Sequence, residues 1–148
     1  MAKQDSPILV TGAGVTGGEV LRQLRHTKFA ARAIIRDPVK AEPFRKLGIE
    51  IFEGDFAEAG SWDGALSGVD KVFAITPLHP QARTWFDLLL EAAKRAGVHH
   101  VVKLSGWRVS PISEAKVHRE MAGSDEALRQ SGLGYTILRP NVFFRICS

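Results

Sequence analysis

Two periodicities alternate along this chain, and that alternation is what most limits the folds open to it. Short apolar runs of strand type give way to longer segments whose apolar residues recur at helical spacing. Ile8-Leu9-Val10 precedes Val15–Leu24, in which Val20, Leu21 and Leu24 share a face. Ala31–Ile35 precedes Pro38–Leu47, which opens on a proline, and Ile49–Phe52 follows the helix-ending Gly48. A short helix is predicted over Ser61–Ser67 and a strand over Lys71–Ile75. Pro80–Ala96 carries Trp85, Leu88, Leu89, Ala92, Ala93 and Ala96 on one side and meets Gly97 as its stop. The series closes with a strand at His100–Leu104, a helix over Glu114–Gln130 that contains Gly123 and Ser124, and a strand at Tyr135–Leu138 before Pro140. Strands that alternate with helices in this way predict an α/β fold: a doubly wound, mostly parallel sheet of about six strands with helices on both faces.

Composition narrows the class further. The length of 148 residues suits one domain, and 45% apolar with 24% charged residues excludes a disordered or fibrous chain. No apolar run approaches the roughly 20 residues of a membrane span, and the N-terminus lacks a signal-peptide pattern. Twenty Lys and Arg against sixteen Asp and Glu leave a net charge of +4, spread along the chain without a basic block. That argues against nucleic acid and suits a phosphate-bearing small molecule. The single cysteine, Cys147, excludes an internal disulfide framework. His26, His79, His99, His100 and His118 show no metal-ligand spacing, so no metal is expected. The expectation is a soluble cytoplasmic protein.

The most informative segment is Val10–Val20. Gly12, Gly14 and Gly17 form G-x-G-x-x-G directly after a strand and at the start of a helix, the context in which the motif binds a dinucleotide. Gly12 allows a tight turn, Gly14 lets the backbone approach a pyrophosphate, and Gly17 lets the helix pack close. Val15 and Thr16 open the helix, whose free N–H groups and positive dipole face the phosphates. Arg36 follows the second strand, where an arginine accommodates the 2′-phosphate of NADP, so NADPH is favoured; Asp37, one place later, leaves NAD open. Asp55 after the third strand would meet the adenine amino group, with Phe56 flanking the ring. Thr76 and Pro77 after the fourth strand and Ser105 after the fifth stand at carboxyl ends, where ligands of open α/β sheets bind.

The strings Ile8–Gly18, Arg36-Asp37-Pro38, Glu53-Gly54-Asp55, Gly68-Val69-Asp70, Ala93–Val98, Val102–Ser105 and Ser131–Asn141 resemble the NmrA-like, NAD(P)H-binding branch of the atypical short-chain dehydrogenases/reductases. The resemblance covers nearly the whole chain in order. It implies a Rossmann fold that binds NADP(H), with some members reducing quinones or triphenylmethane dyes and others only sensing the redox state of the cofactor. By position, Gly12, Gly14, Gly17, Arg36, Asp55, Thr76 and Ser105 would line the cofactor site. Three departures accompany it. The first two glycines stand one residue closer than in the family's T-G-x-x-G-x-x-G, the region of His118 aligns loosely, and the family continues past Arg-Pro-Asn into a substrate-binding lobe. Residues 1–148 thus read as the NAD(P)-binding domain and residues 141–148 as the start of a truncated lobe.

A tyrosine-based proton donor is not available. The only tyrosine, Tyr135, lies on the last strand, and the position four before Lys116 is Ile112, so Tyr-x-x-x-Lys is absent. Ser105, Lys103 and His118 remain as candidate catalytic groups. Hydride transfer to a quinone or a conjugated cation asks little acid catalysis, and Trp107 would stack on a flat acceptor. No G-x-S-x-G elbow supports a serine hydrolase. Three readings follow. The first is an NADPH-dependent oxidoreductase acting on a quinone-like or dye-like acceptor. The second is a non-catalytic NAD(P) sensor that binds a regulatory protein. The third is a fragment whose exposed apolar surface promotes self-association.

Overall fold

Side-chain alternation within the short strands sorts the apolar residues into two layers. The computed structural model describes residues 6–141. It contains β1 (Ile8–Val10), α1 (Val15–Leu24), β2 (Ala31–Ile35), α2 (Pro38–Arg45), β3 (Glu50–Glu53) and α3 (Gly60–Leu66). Then follow β4 (Lys71–Ile75), α4 (Ala82–Ala96), β5 (His100–Leu104), α5 (Lys116–Arg129) and β6 (Gly134–Leu138). Leu9, Val72 and Val101 are register partners across β1, β4 and β5, and all three are buried on one face. There they meet Trp62 of α3, Phe86 and Leu89 of α4 and Leu128 of α5. Their sequence neighbours point the other way: Val10 and its partner Ala33 pack with Leu21 of α1 and with Ala41 and Phe44 of α2.

The six strands lie in the order β3-β2-β1-β4-β5-β6 and every neighbouring pair is parallel. The chain winds outward from β1 to β3, then returns to β1's other side for β4, which covers both faces of the sheet with helices. This is the doubly wound sheet that the alternation predicts. Element bounds shift by one or two residues: Pro80 precedes α4, which begins at Ala82, and α5 occupies Lys116–Arg129 rather than Glu114–Gln130.

The buried stripe of α4 differs from its sequence reading. Phe86 and Leu90 join Leu89, Ala92 and Ala93 in the core, whereas Ala96 is exposed and Trp85 is half-buried at the flank. Gly97 ends the helix at φ +75°, the left-handed region that an L side chain rarely adopts. Gly123 and Ser124 do not interrupt α5. A Cβ at Gly123 would stand 2.9 Å from Nη1 of Arg83, so the glycine marks where α5 closes on α4. Ser124 is buried, with its hydroxyl donating to the Glu120 carbonyl at 3.0 Å. Of residues 141–148, read as the start of a further lobe, only Asn141 is described; Val142, Phe143, Phe144 and Cys147 lie outside the described residues. Among the described residues no helix is long and apolar enough to cross a membrane.

Candidate functional site

The carboxyl ends of β1 and β4 form the crossover point of the sheet, and one side chain ties them together. Thr11 donates its hydroxyl to the Ile75 carbonyl at 3.0 Å and accepts the Ile75 N–H at 2.8 Å. The glycine loop rises from this link and opens onto a cleft of about 490 Å³ along the strand ends. Gly12, Gly14, Arg36, Asp55, Thr76 and Pro77 all line it.

The three motif glycines serve space rather than backbone freedom. None has positive φ, so the tight-turn role expected for Gly12 does not require its conformational range. A Cβ at Gly12 or Gly14 would meet no protein atom within 4 Å. Those positions border the cleft, so the room there is left for a ligand. Gly17 behaves differently: it is buried, and a Cβ on it would overlap the Gly12 carbonyl oxygen. It sets the approach of α1 to the loop and does not face the cleft. Gly14 is the N-cap of α1 and offers no capping side chain, which leaves the N–H groups of the first turn, at Val15 and Thr16, for an anion.

At the β2 end of the cleft the charges sort themselves. Asp37 caps α2, its Oδ1 accepting the Val39 N–H at 2.9 Å. Its carboxylate is thereby engaged with the helix, while the Arg36 guanidinium extends into solvent, 81% exposed. Lys40, one turn further on, also lines the cleft. Asp55 accepts the Ala57 N–H at 2.9 Å through Oδ1 and presents Oδ2 to Arg36 at 3.8 Å. Phe56 touches the cleft but belongs mainly to the core, edge-on to Trp62 with centroids 4.7 Å apart. His79 and Trp85, which stack at 4.3 Å, form the wall below Thr76 and Pro77. Open space at two glycines, an uncapped helix N-terminus and two cations at the far end fit a phosphorylated dinucleotide.

A second cavity of about 420 Å³ adjoins the first and shares Ile75, Thr76 and Leu78 with it. Ser105 and His118 both line it, together with Trp107 and Asn141. The His118 ring Nδ1 lies 3.3 Å from the Ser113 hydroxyl. Trp107 is 53% exposed, and the Arg108 guanidinium sits 4.6 Å from its ring centroid. Tyr135 lines neither cavity.

Lys103 is not brought to the cleft. It is fully buried, and its Nζ donates to Asp125 Oδ1 at 2.7 Å, 5.3 Å from the centroid of Phe86. Burial pushes its pKa below the ordinary lysine value, with the Asp125 carboxylate opposing that shift. The direct proton-donor role expected for it has no path to the cavity. Asp125 instead gathers three donors, for its Oδ2 also accepts from Ser105 at 2.6 Å and from Arg139 at 3.1 Å.

Asp125, Lys40 and Thr11 escaped the sequence reading. The signal for Asp125 was an acid three residues from Ala122 and from Leu128, on the stripe of α5 that faces the core. For Lys40 it was a second cation four residues after Arg36, in the first turn of α2.

A parallel sheet of this order, with a glycine loop and an uncapped helix at its crossover, defines a dinucleotide-binding Rossmann domain. The chain belongs to the family described as NAD(P)H-binding, which matches residues 12–144. It is 35% identical over 138 residues to an NAD(P)H azoreductase of Xenophilus azovorans, covering 93% of this chain and 48% of the relative. An NADPH-dependent quinone oxidoreductase from Escherichia coli, crystallised with NADPH, superposes with a TM-score of 0.80 at 31% identity, over 89% of this chain and 48% of that one. Triphenylmethane reductase of Citrobacter sp., crystallised with NADP(H), gives a TM-score of 0.79 at 28% identity, over 89% of this chain and 48% of that one. The chain spans about half the length of these relatives.

Proposed function

We propose that this chain is the NADPH-binding domain of an oxidoreductase that passes a hydride to a quinone-like or dye-like acceptor, with residues 141–148 beginning its substrate-binding lobe. The observation that carries the reading is the run of two adjoining cavities along the strand ends, from Arg36 and Lys40 at one extreme to Ser105 and His118 at the other. NADPH, when bound, supplies the hydride. Arg36 and Lys40 hold the 2′-phosphate, and the N-terminus of α1 receives the pyrophosphate. Ser105 and His118 meet the groups at the second cavity, and His118 gives the proton that a quinone takes up beside a hydride, a role supported by its lining of that cavity. Trp107 offers one ring face to a flat acceptor. The names of the azoreductase, quinone oxidoreductase and triphenylmethane reductase relatives support that acceptor class.

The absence of a tyrosine from both cavities favours a second reading, a redox sensor that binds NAD(P) and engages a regulatory protein. Nucleotide titration and turnover separate the two. The expected result is tighter binding of NADPH than of NADH, with Arg36→Ala weakening NADPH about ten- to hundredfold and NADH little, the scale of a charge-assisted hydrogen bond. Equal losses for both nucleotides would remove the NADP assignment. Steady NADPH consumption across a panel of quinones would exclude the sensor, whereas a folded chain that binds neither nucleotide would exclude both readings.

A further inference from the structure

Asp125 is a buried acid that the proposed chemistry leaves unused, and every group around it is a donor. Lys103 Nζ reaches Oδ1 at 2.7 Å; the Ser105 hydroxyl and Arg139 reach Oδ2 at 2.6 and 3.1 Å. Arg139 is a permanent cation, so the carboxylate beside it accepts hydrogen bonds and gives none. Ser105 has one hydroxyl proton, and that proton is committed to Asp125. Its backbone N–H is committed as well, to the Leu138 carbonyl at 2.7 Å. Ser105 therefore lines the second cavity with lone pairs and no proton to offer.

We propose that Asp125 is a positioning residue that fixes the Ser105 hydroxyl as a hydrogen-bond acceptor toward the cavity, so that this wall selects a ligand group that donates: the N–H of a primary carboxamide such as nicotinamide carries. The inference rests on the reading that a dinucleotide occupies the two cavities with its nicotinamide end beside Ser105. A serine that polarises a substrate carbonyl must donate, and this one has no free proton to do so. The arrangement joins β5, α5 and the segment after β6 at a single carboxylate, so the polarity of Ser105 is set by residues that never touch the ligand.

The test compares NADP⁺ with its 3-acetylpyridine analogue, in which a methyl ketone replaces the carboxamide and the N–H donors are gone. Dissociation constants are measured by titration on the full chain. The wild type is expected to bind NADP⁺ about three- to tenfold more tightly than the analogue, one hydrogen bond's worth. Ser105→Ala should bring the ratio close to one, and Asp125→Asn should lower it because the hydroxyl is freed to turn. In the Ser105→Ala background, Asp125→Asn should leave the ratio unchanged, which a merely structural role for Asp125 would not produce. A ratio insensitive to Ser105→Ala overturns the proposal, as does an Asp125→Asn effect that persists without the hydroxyl. A folded wild type that binds neither nucleotide sinks the dinucleotide reading itself, and this proposal with it. A second measurement needs no folded Asp125 variant. The Ser105 hydroxyl proton should give a slowly exchanging resonance, absent in Ser105→Ala, that survives saturation with NADP⁺; its loss on saturation would show the proton turned to the ligand and overturn the assignment.

Discussion

Gly12 and Gly17 are chemically identical residues in one motif, yet their surroundings ask different things of them. At Gly17 a Cβ would overlap the carbonyl oxygen of Gly12, which is backbone and has nowhere to go without moving the loop. Gly17→Ala should therefore cost about 1–3 kcal/mol of stability and weaken NADPH binding as well. At Gly12 the space is open, so Gly12→Ala should leave the urea midpoint nearly unchanged while nucleotide affinity falls. Urea unfolding and nucleotide titration on the two variants test this division; equal destabilisation of both would contradict it. The motif's spacing pointed to phosphate binding from the sequence. It also pointed to Gly17 as the close-packing glycine, and the structure supplies what that glycine packs against, a backbone carbonyl in the loop five residues upstream.

Among the elements, α5 is where local propensity and tertiary packing diverge most. Gly123 lowers the intrinsic helicity of Lys116–Arg129, yet the helix is continuous because Ala122, Asp125 and Leu128 are buried on one stripe. The nearest obstacle to a side chain at 123 is the far end of Arg83, which can swing away. Gly123→Ala should thus raise stability by about 0.5–1 kcal/mol, read as a higher midpoint in thermal or urea unfolding. A drop would mean that α4 and α5 need the glycine's close approach. The strands were more legible than this helix. Runs such as Lys71–Ile75 and His100–Leu104 appear in the structure at their predicted bounds, since a buried parallel strand needs only a short apolar run between turns. The buried stripe of α4 was less so, because Phe86 and Leu90 enter the core only once α3 and the sheet fix the helix's rotation.

For the molecule as a whole, the buried Lys103–Asp125 pair couples folding to proton release. Burial lowers the Lys103 pKa in the folded state from its ordinary value of 10.5. Between the lowered value and the ordinary one the unfolded chain binds more protons, so this group makes stability rise with pH across that window. Its contribution is complete above the ordinary value and is lost as pH falls through the folded one. The unfolding free energy of the wild type minus that of Lys103→Met should accordingly increase with pH over this interval in a series of denaturant titrations. A flat difference would show that Lys103 titrates alike in both states.

The sequence by itself determined the alternation of strands and helices, the parallel doubly wound class and the glycine loop at the first strand–helix junction. These are local: period, turn residues and capping act within a few positions of the chain. It also placed Arg36, Asp55, Thr76 and Ser105 at strand ends, because the carboxyl end of a strand is defined by the run that precedes it. Only the tertiary structure decided what those residues meet. Phe56 turned to Trp62 of α3, Lys103 turned inward to an acid 22 positions away, and the Ser105 hydroxyl turned to the same acid. Those outcomes depend on strand order and helix rotation, which bring distant side chains within hydrogen-bond reach, and no short-range pattern encodes that proximity.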